Sequence, residues 1–195
     1  MARIQWVEER AADGAIGDVY AAWMVANPTR TEIPGILKAL SLRPELFQGM
    51  DTVSHKVHFR AGHLDVRTKE MIATYVSALN RCPYCTGSHA SFLRTEDPTP
   101  ELYGSLSHAE LDAAPLTDAE RGLLRFAATI TEHSYRTTDA EVENLRNLGW
   151  AEPQIAEAVY ITALFAFFNR VANAFGLEDP GYLLRPPIKQ SIAPE

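Results

Sequence analysis

The residues best suited to chemistry lie together between positions 70 and 89. This stretch holds both cysteines of the chain, Cys82 and Cys85, with two residues between them, and His89 follows four positions later. Two thiols at this spacing can close a disulfide, and a helical i, i+4 relation places Cys85 and His89 on one face. A potential nucleophile is thus paired with a potential base, which Glu70 could orient or recharge as a third member. The pattern indicates thiol chemistry.

The same spacing suits both halves of a peroxidase cycle. A thiol attacks peroxide slowly, and a free cysteine, with a pKa of about 8.5, is only a few per cent thiolate at neutral pH. A helix that begins at Pro83 would supply N–H groups near both cysteines, and His89 can take the proton from Cys85. Cys85 would then become a sulfenic acid, and Cys82 would condense with it to a disulfide. Helix position favours Cys82 as the more acidic thiol, whereas the histidine favours Cys85.

Two other interpretations of the cysteine pair make different demands on the fold. As structural residues, the cysteines would be small buried hydrophobes in a helix. Cys-Pro-Tyr-Cys also occurs in glutaredoxin-type oxidoreductases, which need a strand leading into the motif. The residues before Cys82 follow a helical period instead. This pattern excludes the glutaredoxin fold.

A zinc site usually needs four ligands, and the chain offers one obvious set. The other histidines are scattered along the sequence. His55 and His58 share a helix at i, i+3, and we predict that both lie on the surface. We therefore predict neither a metal nor a cofactor. The ligands of the alternative zinc site would be Cys82, Cys85, His89 and Glu70.

Composition and charge narrow the class of protein. The 195 residues carry a net charge of −7, so nucleic acid is not an expected partner. The N-terminus lacks the apolar run of a signal peptide. The most apolar stretch, 155–168, is interrupted by Glu157 and is shorter than a membrane span. We expect a cytoplasmic protein with no membrane partner, in which a cysteine pair is more often catalytic, redox-sensing or metal-binding than structural.

The elements around the motif are predicted to be helices. Asp65 is the expected N-cap of a helix over 66–80, whose apolar stripe leaves Glu70 on a face of small residues that a helix or pocket could approach. Pro83 starts the next helix. With no alternating strand and no βαβ unit, the chain is predicted to be all-α. Further helices are predicted after the caps Asp13 (through Met24) and Thr117 (through Ile130), from Pro34 to Leu42, from Pro44 to a point before Gly62, from Thr138 to near Gly149, and from Glu152 to Phe175. The connector over 101–116 is predicted to be weakly helical.

A weak internal repeat is visible at an offset of 51 residues. The second copy has no cysteines, so only the first half would do chemistry. Chance similarity between two amphipathic helices explains the match equally well. The matched residues are Ile72, Tyr75, Val76 and Leu79 in the first copy and Leu123, Phe126, Ala127 and Ile130 in the second.

The motif from Glu70 through Cys82-Pro83-Tyr84-Cys85 to His89 resembles the core of AhpD-like alkylhydroperoxidases, which belong to the carboxymuconolactone decarboxylase superfamily. The lead-in 76–80 and the late helical stretch 163–173 are also similar to that family. The likeness is strongest to the branch labelled peroxidase-related enzymes, and it covers roughly residues 45–176.

The resemblance implies an all-helical bundle that forms homo-oligomers. It also implies that Cys85 attacks the peroxide, that Cys82 resolves the product, and that Glu70 and His89 relay the proton. AhpD proper has a histidine where this chain has Tyr84. The tyrosine cannot act as a base near neutral pH, but its hydroxyl could hold a water or a peroxide oxygen. Asn169 is a second candidate for lining the site, although hydrogen bonds between helices are slightly favoured for it.

We therefore predict a thiol-dependent peroxidase of organic hydroperoxides, reduced by an external dithiol or thiol carrier. The alternatives are a general disulfide oxidoreductase and a non-enzymatic redox-sensing oligomer. The expected organisation is an N-terminal helical extension (1–44), a catalytic core (45–176) and a Pro-rich tail (177–195). Apolar residues outside the core are expected at the subunit interface of a dimer, trimer or hexamer. They are Trp23, Tyr182, Leu183, Leu184, Pro186 and Pro187.

Overall fold

The structure, a computed structural model, describes residues 2–186, so the end of the expected tail, including Pro187, lies outside the described residues. Within them the chain is helical and has no strand, which confirms the all-α prediction. The α-helices are α1 (Gly14–Ala26), α2 (Gly35–Lys38), α3 (Pro44–Val53), α4 (Val66–Leu79), α5 (Pro83–Glu96), α6 (Pro100–Ser107), α7 (Asp118–His133), α8 (Asp139–Asn147) and α9 (Glu152–Phe175).

The centre of the fold is the hairpin formed by α4 and α5, the helices that carry the motif. Asp65 caps α4 as predicted, because its carboxylate accepts a hydrogen bond from Thr68 N at 2.7 Å. The chain then turns through Arg81, whose φ of 52° lies in the left-handed region. Cys82 is the N-cap of α5, and Pro83 occupies its first turn. The turn thus sets both cysteines at the start of a helix.

Helices α6, α7 and α9 pack against α4 and build the main core. The two apolar sets of the possible repeat, on α4 and α7, face this same core. Their likeness is therefore explained by a shared environment, without a duplicated site. The most deeply buried core residues include Ile72, Val76, Leu93, Leu106, Leu123, Leu124 and Ile161.

The N-terminal helices α1 to α3 form a second core against α9. Trp23 belongs to it and is 7% exposed. Its indole Nε1 donates a hydrogen bond to Asp51 Oδ1 at 3.0 Å. The prediction that Trp23 lies at a subunit interface is therefore wrong: its ring is already buried within one chain, because α3 supplies both an apolar surface and an acceptor.

A π-helical turn, Ser54–His58, follows α3 where a continuous helix to Gly62 was predicted. Ser54 Oγ donates to the carbonyl of Met50 at 2.7 Å, a local bond that competes with the regular ladder. Lys69 of α4 donates to the carbonyls of Val57 and Arg60, both at 2.8 Å. Such turns widen the helix and are frequent at functional sites. Here the turn directs His58 into the interior, where it is 1% exposed.

Two other sequence predictions need adjustment. The weakly helical connector begins with a regular helix, α6. Helix α9 has 24 residues and, by length and composition alone, could cross a membrane, which the shorter apolar stretch did not suggest. Half of its most apolar window is buried against other helices. Two polar residues within this apolar helix, Thr162 and Asn169, are fully buried and hydrogen-bonded, as in the core helix of a helical bundle.

Candidate active site

Glu70 lies at the centre of the candidate site on a wholly buried face of α4. Glu70, Ala73, Thr74 and Ser77 all have 0% exposure, so the predicted face of small residues is indeed packed closely. The Glu70 carboxylate joins two imidazoles. Its Oε2 lies 2.7 Å from His89 Nδ1, and its Oε1 lies 3.0 Å from His58 Nε2.

The two histidines determine the charge of Glu70. Burial opposes ionisation, but the neighbouring His58 and His89 outweigh it and hold the pKa of Glu70 at about 2. An ionised carboxylate can only accept hydrogen bonds, so the ring nitrogens that face it carry protons. His89 therefore keeps Nε2 unprotonated in its neutral form, and this nitrogen is the one available as a base.

His58 is a site residue that the sequence interpretation missed. The sequence pattern predicts a surface histidine, yet His58 is buried and bonded to Glu70. A signal was available, because Phe47, Ser54 and His58 follow an i, i+7, i+11 spacing and all three are buried. What the spacing could not provide is the partner, which lies on another helix.

The two cysteines are buried free thiols that differ in environment. Cys82 Sγ accepts a hydrogen bond from Cys85 N at 3.3 Å at the N-terminus of α5. Hydrogen bonding from Cys85 lowers the pKa of Cys82 against the effect of burial, and Asn169 contributes in the same direction. The bond to Cys82, together with burial, raises the pKa of Cys85. These opposite directions, and the hydrogen bond from Cys85 N, favour Cys82 as the first sulfur to ionise.

Cys85 and His89 are one helical turn apart and both line the same cavity. Within residues 2–186, no hydrogen bond joins His89 to either sulfur. A molecule bound in the cavity could carry a proton between Cys85 and His89. Cys85 and His89 share one cavity wall, as their spacing predicts, but no direct hydrogen bond joins these two described residues.

Asn169 lies behind the cysteines and does not line the cavity. It is fully buried, its Nδ2 donates to Ser77 Oγ at 3.0 Å, and its Oδ1 accepts from Asn80 at 3.0 Å. These bonds join α9 to α4, so the inter-helix role suggested for Asn169 describes it better than contact with substrate. Its effect on the pKa of Cys82 gives it a further role beside the thiols.

Tyr84 does line the cavity, with its hydroxyl accepting a hydrogen bond from Ile36 N at 3.4 Å. Burial raises the pKa of Tyr84, so it stays protonated and cannot serve as a base. Tyr84, which stands where AhpD proper has a histidine, thus joins α2 to the start of α5. Its hydroxyl keeps a proton that it can donate into the cavity.

The cavity lies between the N-terminal helices, α5 and α9. Its volume, measured as the space open to the centre of a water molecule, is about 120 Å³. The wall is mainly apolar, and its polar residues include Asn27, Arg30 and Asp51. Apolar side chains on the wall include Trp23, Ile36, Leu37, Phe59, Phe92, Leu164, Phe165 and Phe168.

The residues that come closest to a metal-binding set are not those of the zinc alternative. Among the described residues, His58, Glu70 and His89 offer ligand atoms within 4.8 Å of one another. Two histidines and a carboxylate can hold a divalent transition metal. The same nitrogen and oxygen atoms are already hydrogen-bonded to each other at 2.7 and 3.0 Å.

Comparison with known proteins finds a family match for the segment that contains this arrangement. Residues 44–101, from the start of α3 into α6, match the model of the carboxymuconolactone decarboxylase family. This segment contains Glu70, both cysteines and His89. No curated protein matches the chain.

Solved structures share the fold over most of the chain. A peroxidase-related protein from Ralstonia eutropha JMP134, described as an alkylhydroperoxidase AhpD core, has a TM-score of 0.81 and 24% identity, covering 100% of this chain and 98% of its own. A peroxidase-related protein from Silicibacter sp. TM1040 has a TM-score of 0.79 and 27% identity, covering 88% and 90%. A protein of unknown function from Agrobacterium tumefaciens has a TM-score of 0.64 and 22% identity, covering 72% and 94%.

The fold and the Glu70–His89 hairpin are thus similar to those of AhpD-like proteins. Together with the match over residues 44–101, they relate the chain to the carboxymuconolactone decarboxylase superfamily.

Proposed function

We propose that this protein is a thiol-dependent peroxidase that reduces organic hydroperoxides and is reset by an external dithiol or thiol carrier. One observation carries the proposal: the thiol of Cys85 and the imidazole of His89 share the wall of a mainly apolar cavity, with Glu70 behind the imidazole. An apolar cavity suits a carbon chain, and a thiol beside a base suits attack on an O–O bond.

In the proposed cycle, the Cys85 proton passes through the cavity to His89 Nε2. The Cys85 thiolate attacks the terminal oxygen of the hydroperoxide, the O–O bond breaks, and the alkoxide takes the proton from His89 to leave as an alcohol. Cys85 is then a sulfenic acid. Cys82, the sulfur with the lowered pKa, attacks the Cys85 sulfur; the S–O bond breaks, the proton of the Cys82 thiol goes to the departing hydroxyl to give water, and the disulfide forms.

Glu70 has a defined part in this cycle. Its anionic carboxylate fixes the tautomer of His89 and stabilises the imidazolium that forms when Nε2 takes a proton. No redox change is required of Glu70, so it acts by orientation and charge.

The small apolar cavity favours this proposal over the main alternative, a general disulfide oxidoreductase. Cys82 and Cys85 are 1% and 3% exposed, so a small hydroperoxide reaches Cys85 through the cavity, whereas a folded protein disulfide needs the site to open. The reductant that resets the pair must likewise be a small dithiol or a carrier that reaches the site when it opens. Insulin reduction faster than peroxide consumption would contradict this argument and favour the alternative.

The test is a single turnover of the fully reduced protein with one equivalent of cumene hydroperoxide, counting free thiols and peroxide over time. Both thiols should disappear in step with the peroxide, far faster than free cysteine reacts. Cys85→Ser should abolish the reaction. A wild-type protein no faster than free cysteine, or a fully active Cys85→Ser variant, would refute the assignment.

A chelator separates the relay from a metal mechanism at the same residues. If Glu70 serves His58 and His89 as a relay, EDTA treatment should leave the single-turnover rate unchanged. A rate that falls after EDTA and recovers with Zn²⁺ would assign the three residues to a metal instead.

A further inference from the structure

Two buried polar atoms on the cavity wall have no protein partner. Within residues 2–186, neither His58 Nδ1 nor Ser88 Oγ makes a hydrogen bond, and each exposes less than 1 Å². Both residues line the cavity that contains Cys85. Leaving a buried polar group without a hydrogen-bond partner destabilises the folded protein. Two such groups on one cavity wall indicate a ligand that carries matching groups.

The bond to Glu70 defines what His58 can bind. Because Nε2 donates to the ionised carboxylate at 3.0 Å, Nδ1 of the neutral ring carries the lone pair and is an acceptor. Burial lowers the pKa of His58 and keeps the ring neutral. The ligand must therefore donate a hydrogen bond to Nδ1. Ser88 lies one turn after Cys85, and its hydroxyl can donate to an oxygen of the same ligand.

We propose that His58 and Ser88 bind the peroxide group of the substrate: His58 Nδ1 accepts a hydrogen bond from the terminal O–H, and Ser88 Oγ donates to the oxygen that bears the carbon chain. The identity of this ligand rests on the proposed function. A hydroperoxide has one donor and two acceptor oxygens, which match these two atoms. The carbon chain then lies against the aromatic rings of the wall, such as Phe59, Phe92 and Phe165.

This placement fits the bonds that change. The Cys85 Sγ–O bond forms at the terminal oxygen as the O–O bond breaks. The developing alkoxide is the oxygen bonded to Ser88, whose hydroxyl stabilises its charge until the proton from Cys85 arrives through His89. His58 stays neutral throughout, so it is a binding residue and not a second base.

A pair of variants separates the two nitrogens of His58. In His58→Gln, the amide nitrogen can occupy the place of Nε2 and donate to Glu70, while the acceptor at the Nδ1 position is lost. In His58→Asn, the amide oxygen can replace Nδ1, while the donor to Glu70 is lost. Each change is made in the Cys85→Ser background, which cannot turn over. Binding of cumene hydroperoxide is followed by the fluorescence of Trp23, which lines the cavity.

His58→Gln should weaken binding about three- to tenfold, the effect of one neutral hydrogen bond, whereas His58→Asn should bind within about twofold of its parent. With Cys85 restored, the order should reverse for the limiting rate of thiol oxidation, because only His58→Asn loses the bond to Glu70. Equal affinity of His58→Gln and its parent would overturn the proposal, as would a parent that does not bind.

Ser88 and Ser91 provide a test that does not depend on changes at His58. Both hydroxyls are buried without a partner on α5, but only Ser88 lines the cavity. Ser88→Ala should lower affinity or limiting rate about three- to tenfold, and Ser91→Ala should change neither. Identical effects of the two changes would overturn the assignment of Ser88. A protein that binds the hydroperoxide through His58 but does not oxidise its thiols would refute the proposed function while leaving this inference in place.

Discussion

At the scale of single residues, the two cysteines of the site differ in how readily they lose a proton. Cys82 sits at a helix N-terminus and accepts hydrogen bonds, so it is the sulfur that ionises first. Cys85, which faces the cavity, keeps its proton until a base in the cavity removes it. Because the two sulfurs interact, their titration belongs to the pair. In the proposed cycle, the attacking sulfur, Cys85, and the sulfur with the lowered pKa, Cys82, are therefore different atoms.

Asn169 should help to keep the first thiolate at low pH. Replacing it with leucine removes a hydrogen bond that lowers the pKa of Cys82, so the first thiolate should form at higher pH than in the wild type. Ultraviolet absorbance of the thiolate during a pH titration measures the shift. Asn173→Leu is the matched control, because Asn173 lies one turn later on α9 and donates to the carbonyl of Asn80. Equal shifts in the two variants would contradict the role of Asn169.

Glu70 should make stability depend on pH in the acid range. Its pKa is lowered from 4.5 to about 2 on folding, so its contribution is fully present above about 4.5 and is lost as the pH falls toward 2. The shift corresponds to on the order of 3 kcal/mol. Denaturant unfolding at several pH values should give a stability advantage of the wild type over Glu70→Gln that shrinks below pH 4.5.

Glu96→Gln, at an exposed position of α5, is the control for that experiment. Its stability difference from the wild type should stay nearly constant over the same pH range. A Glu70→Gln protein whose difference from the wild type is also constant would show that Glu70 is not held ionised by its histidines.

At the scale of elements, one buried lysine fixes the turn that delivers His58. Lys69 is 0% exposed and binds the carbonyls of Val57 and Arg60 as well as Glu157 Oε1 at 2.7 Å. Glu157 Oε2 in turn accepts from Leu64 N. The charge on α4 thus connects α9, the π-helical turn and the loop after it. These bonds therefore stabilise the wide geometry of the π-helical turn.

Lys69→Met should destabilise the protein by about 3–5 kcal/mol, because it leaves Glu157 without its partner and removes the donor from two carbonyls. It should also slow thiol oxidation, since His58 would lose its support. Lys56→Met, at an exposed position of the same turn, should have little effect on either. Guanidinium unfolding and the single-turnover rate measure the two effects. Similar stability of both variants would contradict the role assigned to Lys69.

At the scale of the whole molecule, the N-terminal helices complete the site. Residues of α1, α2 and α3 supply one wall of the cavity, and Ile36 N binds the Tyr84 hydroxyl. The 3₁₀ turn Tyr182–Leu184 contributes Tyr182 from the other end of the chain. The matched family segment, 44–101, therefore contains the chemical groups but not the whole cavity. The extension and the start of the tail shape what can reach the thiol.

We expect the protein to assemble into a homo-oligomer through exposed apolar residues of the N-terminal extension. Val25 is 82% exposed and Leu42 is 59% exposed, whereas Trp23 is buried within the chain. Light scattering at micromolar concentration should give the mass of a dimer, trimer or hexamer, and Val25→Glu or Leu42→Glu should lower it. Tyr135→Glu, at a 78% exposed position outside the extension, is the control. A monomeric wild type would refute this expectation.

The sequence by itself determined the helical class, most helix ends and the residues of the motif. These follow from local rules: Asp65 and Thr117 cap helices through bonds to nearby N–H groups, Pro83 can start a helix, and the i, i+4 spacing brings Cys85 and His89 to one face. The same local pattern identified the buried face around Glu70.

Only the tertiary structure decided how those residues act together. The partner of Glu70 on the π-helical turn, the cavity between distant helices, and the burial of Trp23 depend on contacts between segments far apart in the chain. The order of thiol acidity also needed the positions of Cys85 and Asn169 around Cys82, because a pKa responds to burial and to every nearby hydrogen bond. Spacing specifies which side chains share a face, but only folding determines what that face meets.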